Sequence, residues 1–463
     1  MNVQRDRHRI REVKFYISKG ECSMAYSVPQ TKDAFEKLCA EANVALPYTA
    51  DTSILKTPVP IGGKTAPNRI AYQAMEGCDG TPGGLPDTLT KRRYLRFAHG
   101  GAGVIWFEAT AVVPEGRANP RQLYIDEKNY MDFAPLVAEI KETCLRENGY
   151  EPLIFMQLTH SGRYSKPEGV PAPLIAYNNP IFEGENPIDP SRILSDEYLD
   201  MVKEKLVAAA ALAEKAGFDG CDIKCCHRYL LCELLSAYNR PGRYGGSWEN
   251  RTRLVREAIY GALENCSSDF IVSSRMNIYD GFPYPYGFSV TEGNGITPDY
   301  TDAKRLARDL SAHGVKLLNF TMGNPYFNPH VNRPFATGKY DPPEHPMYGV
   351  WRMLAGTAEV AREIPDTRVI SSGLSFLGEV SPNVTAAAVK DGWFDFAGYG
   401  RETLAYPDCA RDICEKGALD AKKLCIACGK CTEIMRTKGG TPGCVIRDGE
   451  VYMPIYKKQV LGK

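Results

Sequence analysis

The stretch SDEYLDMVKEKLVAAAALAEKAGFDGCDIKCC, residues 195–226, decides the fold. Residues 195–217 read as one helix, opened by a serine and two acids and closed by a glycine. A short run with strand character, GCDIKCC, follows from Gly220. Outward from this unit the chain repeats the same alternation. Strands are predicted at RIAYQAM from Arg69, VIWFEAT from Val104, LIFMQLTH from Leu153, and GCDIKCC itself. They continue at FIVSSRMN from Phe270, LLNFTMG from Leu317, RVISSG from Arg368 and FDFAGYG from Phe394. Strands separated by single helices pair in parallel, and eight such units over about 350 residues predict an α/β fold, a (β/α)8 TIM barrel with insertions. The expected division is an N-terminal extension over 1–55 with one short helix in 33–43, a barrel over 56–418, and a cysteine-bearing segment over 419–463.

Composition narrows the function classes. Lys plus Arg and Asp plus Glu both number 56 in 463 residues, so the net charge is zero and nothing favours a nucleic-acid partner. No apolar stretch approaches a membrane span. The start, MNVQRDRHRIREVKF, is charged and lacks an apolar signal core, which argues against secretion. Fifteen cysteines in a chain of this size do not resemble a small disulfide scaffold, and a reducing cytoplasm is the expected setting.

Four of those cysteines, Cys425, Cys428, Cys431 and Cys444, are spaced C-x2-C-x2-C-x12-C. Three thiolates on one tight loop with a fourth returning suit a [4Fe–4S] cluster, each iron taking one sulfur. A four-cysteine zinc site is the alternative, though it is usually written as two separated pairs. A barrel places its chemistry at the C-terminal ends of the strands, often with a phosphate after the seventh and eighth. Those ends hold Gly373 and the pair Gly400–Arg401. Glycine admits a phosphate close to backbone amides and arginine adds a fork of donors; glycines also end strands for purely steric reasons.

Other motifs resemble the old yellow enzyme family of FMN-dependent ene-reductases. They are most similar to its iron–sulfur branch, which includes 2,4-dienoyl-CoA reductase, 2-enoate reductase and trimethylamine dehydrogenase. The resemblance rests on PVPIGGKTAPNRIAYQAM, QLTHSGR and GFDGCDIKCCHRYLLCELLSAYNRPGRYGGSWENRTRL, above all YGGSWENR, and on the cysteine spacing. It implies that the backbone at Ala74 and Met75 lines the FMN ring, Gln157 meets its pyrimidine edge and Arg275 stands by its N1–O2 edge. Gly373, Gly400 and Arg401 would hold the phosphate. Lys224 and His227 would bind a substrate carbonyl, and Tyr229 matches the position that delivers a proton.

The chain also departs from the family. Lys224 stands where histidine is usual, Arg228 replaces a glycine and adds a cation, and Glu76 replaces a threonine or cysteine. Cys78 is one place from the cysteine that attaches FMN in trimethylamine dehydrogenase, so non-covalent FMN is expected. Cys225 and Cys226 read as packing residues. Residues 279–288 and 324–334 are expected to shape the pocket, and the long loop over 161–194 to cover it. No GxGxxG fingerprint follows Cys444, so electrons are expected from NAD(P)H directly or from a separate donor protein. The expected activity is reduction of the C=C bond of an unsaturated carboxylate, thioester or ketone. The alternatives are amine or C–H oxidation and a partner-dependent electron-transfer subunit.

Overall fold

The computed structural model describes residues 26–463 apart from 294, 337, 339 and 439. Residues 1–25, most of the expected N-terminal extension, lie outside the described residues. An antiparallel hairpin comes first, β1 (Val59–Ile61) and β2 (Lys64–Ala66). Eight parallel strands follow: β3 (Ile70–Tyr72), β4 (Val104–Ala111), β5 (Leu153–Thr159), β6 (Gly220–Ile223), β7 (Ile271–Asn277), β8 (Leu317–Thr321), β9 (Arg368–Ile370) and β10 (Ala397–Tyr399). Their order is β10-β3-β4-β5-β6-β7-β8-β9. A single parallel bridge, Ile370 to Phe396, joins the two ends into a ring. The eight-stranded barrel is therefore as the alternation predicts.

The helix that opened the reading spans Asp196–Lys215. Ser195 caps it, accepting from the amide of Tyr198, and Asp196 and Glu197 face the positive end of its dipole. Its inner face buries Leu199, Val202 and Leu206 among others. Every residue of β4, β5 and β7 is buried, as expected of strands with helices outside and packed side chains inside. Trp106 and Phe155 stack at 4.5 Å within that filling. Val59, Ile61 and Ala66 of the hairpin join the same cluster, so the hairpin stops the barrel at its N-terminal end. The sequence pattern did not reveal this hairpin, because its strands are three residues long and one contains proline.

The cysteine-bearing segment is fastened to the helix Thr88–His99. Asp448 accepts from Arg92 at 2.7 and 3.0 Å and also from Arg96. Thr441 donates to Asp79, which is itself held by Arg93 at 2.8 and 3.0 Å.

Candidate active site

Strand β6 is shorter than GCDIKCC suggests. Beyond Ile223 the backbone keeps a partner on each side, Lys224 N–H to Leu158 and Cys225 N–H to Arg275. His227 and Arg228 then take left-handed φ values of +64° and +60°. That pair of turns breaks the strand's alternation and lets Lys224 and His227 face one space. It also explains why glycine suits position 228. Arg228 does not add a cation to that space as expected. Its guanidinium turns away and pairs with Asp280 at 2.8 Å, both fully buried.

At the C-terminal mouth of the barrel lies a cleft of about 970 Å³. Its wall brings together Ala74, Met75, Gln157, Lys224, His227, Arg275, Gly373, Gly400 and Arg401. Gln157 donates its amide to Asp222 at 2.6 Å, leaving its carbonyl oxygen for the cleft. Trp106 and the amide of Arg275 hold the same carboxylate at 2.9 and 2.5 Å. Arg275 donates to the carbonyl of Ala74 at 3.2 Å, while its Nε is buried without a partner. His227 Nε2 is likewise buried and unpartnered. Burial pushes the His227 imidazole well below its usual range, and the nearby Arg275 and Lys224 add to the shift, so the ring is neutral. Unsatisfied buried donors of this kind are costly and point to a ligand.

Gly373 has φ +83°, a conformation that a side chain would strain, and a Cβ there would meet Met353 at 3.3 Å. Arg401 donates to the carbonyl of Pro334 at 2.8 Å. Arg333, which the sequence marked only within a pocket-shaping stretch, stands beside it and donates to Thr432 at 2.6 Å. Burial and the Arg401 charge bring the Arg333 guanidinium down to about 10. Neither arginine forms an ion pair among the described residues, and two such cations at a glycine-lined end suit a dianionic phosphate.

Tyr229 is placed differently from its expected partners. It is fully buried and is not part of the cleft wall. Lys224 Nζ lies 3.6 Å over its ring and 3.8 Å from Glu76. The Tyr229 hydroxyl donates to Glu76 and lies 2.9 Å from that of Tyr326. Of the two expected pocket-shaping stretches, 324–334 contributes Pro325, Tyr326, Asn332 and Arg333, whereas 279–288 contributes nothing to the wall. The latter packs behind, Phe282 lying 5.3 Å from Phe182. Gln73 and Ser372 also line the cleft and were not foreseen; Gln73 ties β3 to β8 through Asn319 at 3.0 Å.

An outer space of about 1840 Å³ adjoins the cleft. Tyr164, Lys166 and Glu168 of the 161–194 loop line it, with Glu76, Cys78 and Tyr326. The Cys78 thiol donates to the Met435 carbonyl at 3.3 Å, and burial pushes it well up, so it is protonated.

Cys425, Cys428, Cys431 and Cys444 line a third, smaller cavity. It shares Arg401, Leu404 and Cys431 with the cleft. Left-handed backbone at Ala427 and Gly429 turns the loop between them, and the amide of Arg447 donates to the Cys444 sulfur at 3.3 Å. Four soft donors on one cavity fit the chemistry of a cluster. Among the described residues, however, no group of three His, Cys, Asp or Glu side chains is arranged to hold a metal ion.

Unpartnered donors, two cations and glycines gathered at the strand ends of a parallel barrel suit a phosphate-bearing ligand. Residues 55–315 match the NADH:flavin oxidoreductase / NADH oxidase family. With more than half of its length matched, the chain belongs to that family. It is 27% identical over 384 residues to an NADH oxidase of Thermoanaerobacter brockii, covering 80% of this chain and 52% of that one. It is 29% identical over 365 residues to an NADPH dehydrogenase of Bacillus subtilis, covering 77% and 93%. The chain thus spans about half the length of the NADH oxidase that it resembles. A 2-naphthoyl-CoA reductase structure shares the fold, with a TM-score of 0.68 and 18% identity over 86% of this chain and 57% of that one. No helix among the described residues is long and apolar enough to cross a membrane.

Proposed function

We propose that this protein is an FMN-dependent reductase of activated C=C bonds. The observation that carries this reading is the single cleft where Gln157, Arg275, Gly373, Gly400 and Arg401 meet the two donors Lys224 and His227. FMN, when bound non-covalently there, supplies hydride to the substrate. Ala74 and Met75 would line its ring, Gln157 and Arg275 would meet its polar edge, and Arg333 and Arg401 would bind its phosphate.

The chain's own work is to polarise the substrate. Lys224 and the neutral His227 present N–H groups to a carbonyl oxygen, drawing electrons from the double bond and stabilising the enolate charge. Such donors act strongly in a water-poor site, where losing one costs about 10²–10³-fold in rate. Tyr229, at the family's proton-donor position, belongs to the hydroxyl network beside them. The supported substrate class is an unsaturated carboxylate, thioester or ketone.

A [4Fe–4S] cluster on Cys425, Cys428, Cys431 and Cys444 is the second part of the proposal. Its support is the shared cavity and Cys431, which also lines the cleft. Electrons would then come from NAD(P)H or from a separate donor protein. The test is an anaerobic absorbance titration with NADH and then NADPH, followed by an enone. Flavin bands that bleach and return with the enone support a self-sufficient reductase. Bands that persist until dithionite is added, then return with the enone, support a donor protein. Bands that bleach only with amines overturn the reading in favour of amine oxidation.

A further inference from the structure

Tyr229 holds the position from which a proton is expected, yet it is sealed from the cleft. Its ring is fully buried and capped by the Lys224 ammonium, 3.6 Å from the ring centroid. The tyrosine of this network that lines the cleft is Tyr326, from the loop after β8. Tyr326 is held in place by its stack on Tyr164, with centroids 4.1 Å apart, and by Arg436, 5.0 Å from the ring centroid. Its oxygen lies 2.9 Å from that of Tyr229 and 3.5 Å from Glu76. Tyr229 in turn donates to Glu76. Glu76 lines both the cleft and the outer space, so its carboxylate stands where the network meets solvent.

Resting on the ene-reductase reading, we propose that Tyr326 is the residue that protonates the substrate, and that Tyr229 and Glu76 form the relay that resupplies it from the outer space. The step balances as follows. Hydride adds to the β-carbon of the activated alkene, and the pair of electrons from the double bond becomes the enolate or nitronate anion. That anion takes the Tyr326 proton at its α-carbon. The Tyr326 oxygen regains a proton from Tyr229; the Glu76 carboxylate then takes a proton from water in the outer space and passes it to the Tyr229 oxygen. The net change is one hydride and one solvent proton added across the double bond. Burial and the Glu76 charge hold both phenols well above their usual range, so each carries the proton that it is asked to pass.

A nitroalkene separates the two additions, because its nitronate is a stable anion with its own ultraviolet absorbance. The holoenzyme is reduced anaerobically, mixed with 1-nitrocyclohexene, and followed for flavin reoxidation and nitronate together. Native protein should reoxidise and release nitroalkane. Tyr326→Phe should reoxidise at a native rate but accumulate nitronate, its protonation slowed by about 10²-fold or more. Tyr229→Phe and Glu76→Gln should slow protonation less. Nitroalkane released by Tyr326→Phe at the native rate, with nitronate from Tyr229→Phe, overturns this inference alone. Native flavin that never reoxidises with the nitroalkene overturns the ene-reductase reading and this inference with it. A second readout needs no turnover: Glu76→Gln should lower the pH at which two tyrosines ionise, followed by tyrosinate absorbance, and an unchanged titration removes Glu76 from the relay.

Discussion

Arg401 and Arg333 line the same end of the cleft with no ion-pair partner among the described residues, so an anion there would relieve their mutual repulsion. Replacing Arg401 with methionine removes charge-assisted donors while filling similar volume. Flavin affinity should fall by about 10²-fold, roughly 2–3 kcal/mol, measured by fluorescence titration of the apoprotein. Arg401 was legible because it follows a glycine at a strand end, a position that the barrel itself marks. Arg333 was not, because it enters from an irregular loop after β8 that has no period to read. Lys224 and His227 were found by motif. Their convergence depends on two consecutive left-handed residues, which propensity disfavours for histidine and arginine. The same turn explains the misjudged Arg228: sequence shows a charge nearby, but only the backbone shows it pointing to Asp280.

The end of β5 illustrates the scale of the element. His160 follows it directly; its Nδ1 accepts from the amide of Gly162 at 3.0 Å and its Nε2 lies 3.1 Å from the Tyr198 hydroxyl. Tyr198 donates to Glu115 at 2.8 Å. This fixes a neutral ring with its proton on Nε2, and burial lowers the imidazole to about 3. The unfolded chain binds this proton near pH 6.5 and the folded one does not, so stability is lost as pH falls from about 6.5 toward 3. His160→Asn should make the loss shallower by about 1.4 kcal/mol per pH unit, measured by urea unfolding between pH 6 and 4. The existence and order of the strands were legible from alternation, but their ends were not. β9 covers only the first three residues of RVISSG, and β10 only three of the seven in FDFAGYG.

For the whole molecule, one carboxylate decides how firmly the C-terminal segment is attached. Asp448 is 8% exposed and is shared by Arg92 and Arg96, both about a third exposed. Asp448→Ala should cost about 1–2 kcal/mol, discounted for solvent around the arginines. It should also open the 419–463 segment to limited proteolysis before the barrel is cut. Cleavage that begins in the barrel would show that the segment is held by other contacts. The cysteine spacing was plain in the sequence; the fastening of their segment to the Thr88–His99 helix through Asp448 was not, since no pattern links positions so far apart.

The ring of strands has one weak join. Six neighbouring pairs between β3 and β9 share two to six aligned residues, and β10 meets β3 over three, but β9 meets β10 through one bridge. Gly373 lies just past one lip of that join, and Gly400 and Arg401 just past the other. An anion gripped from both lips would act as a clasp on an open bracelet. Filling the cleft would then do mechanical service as well as chemical, tying together the two ends of the strand ring.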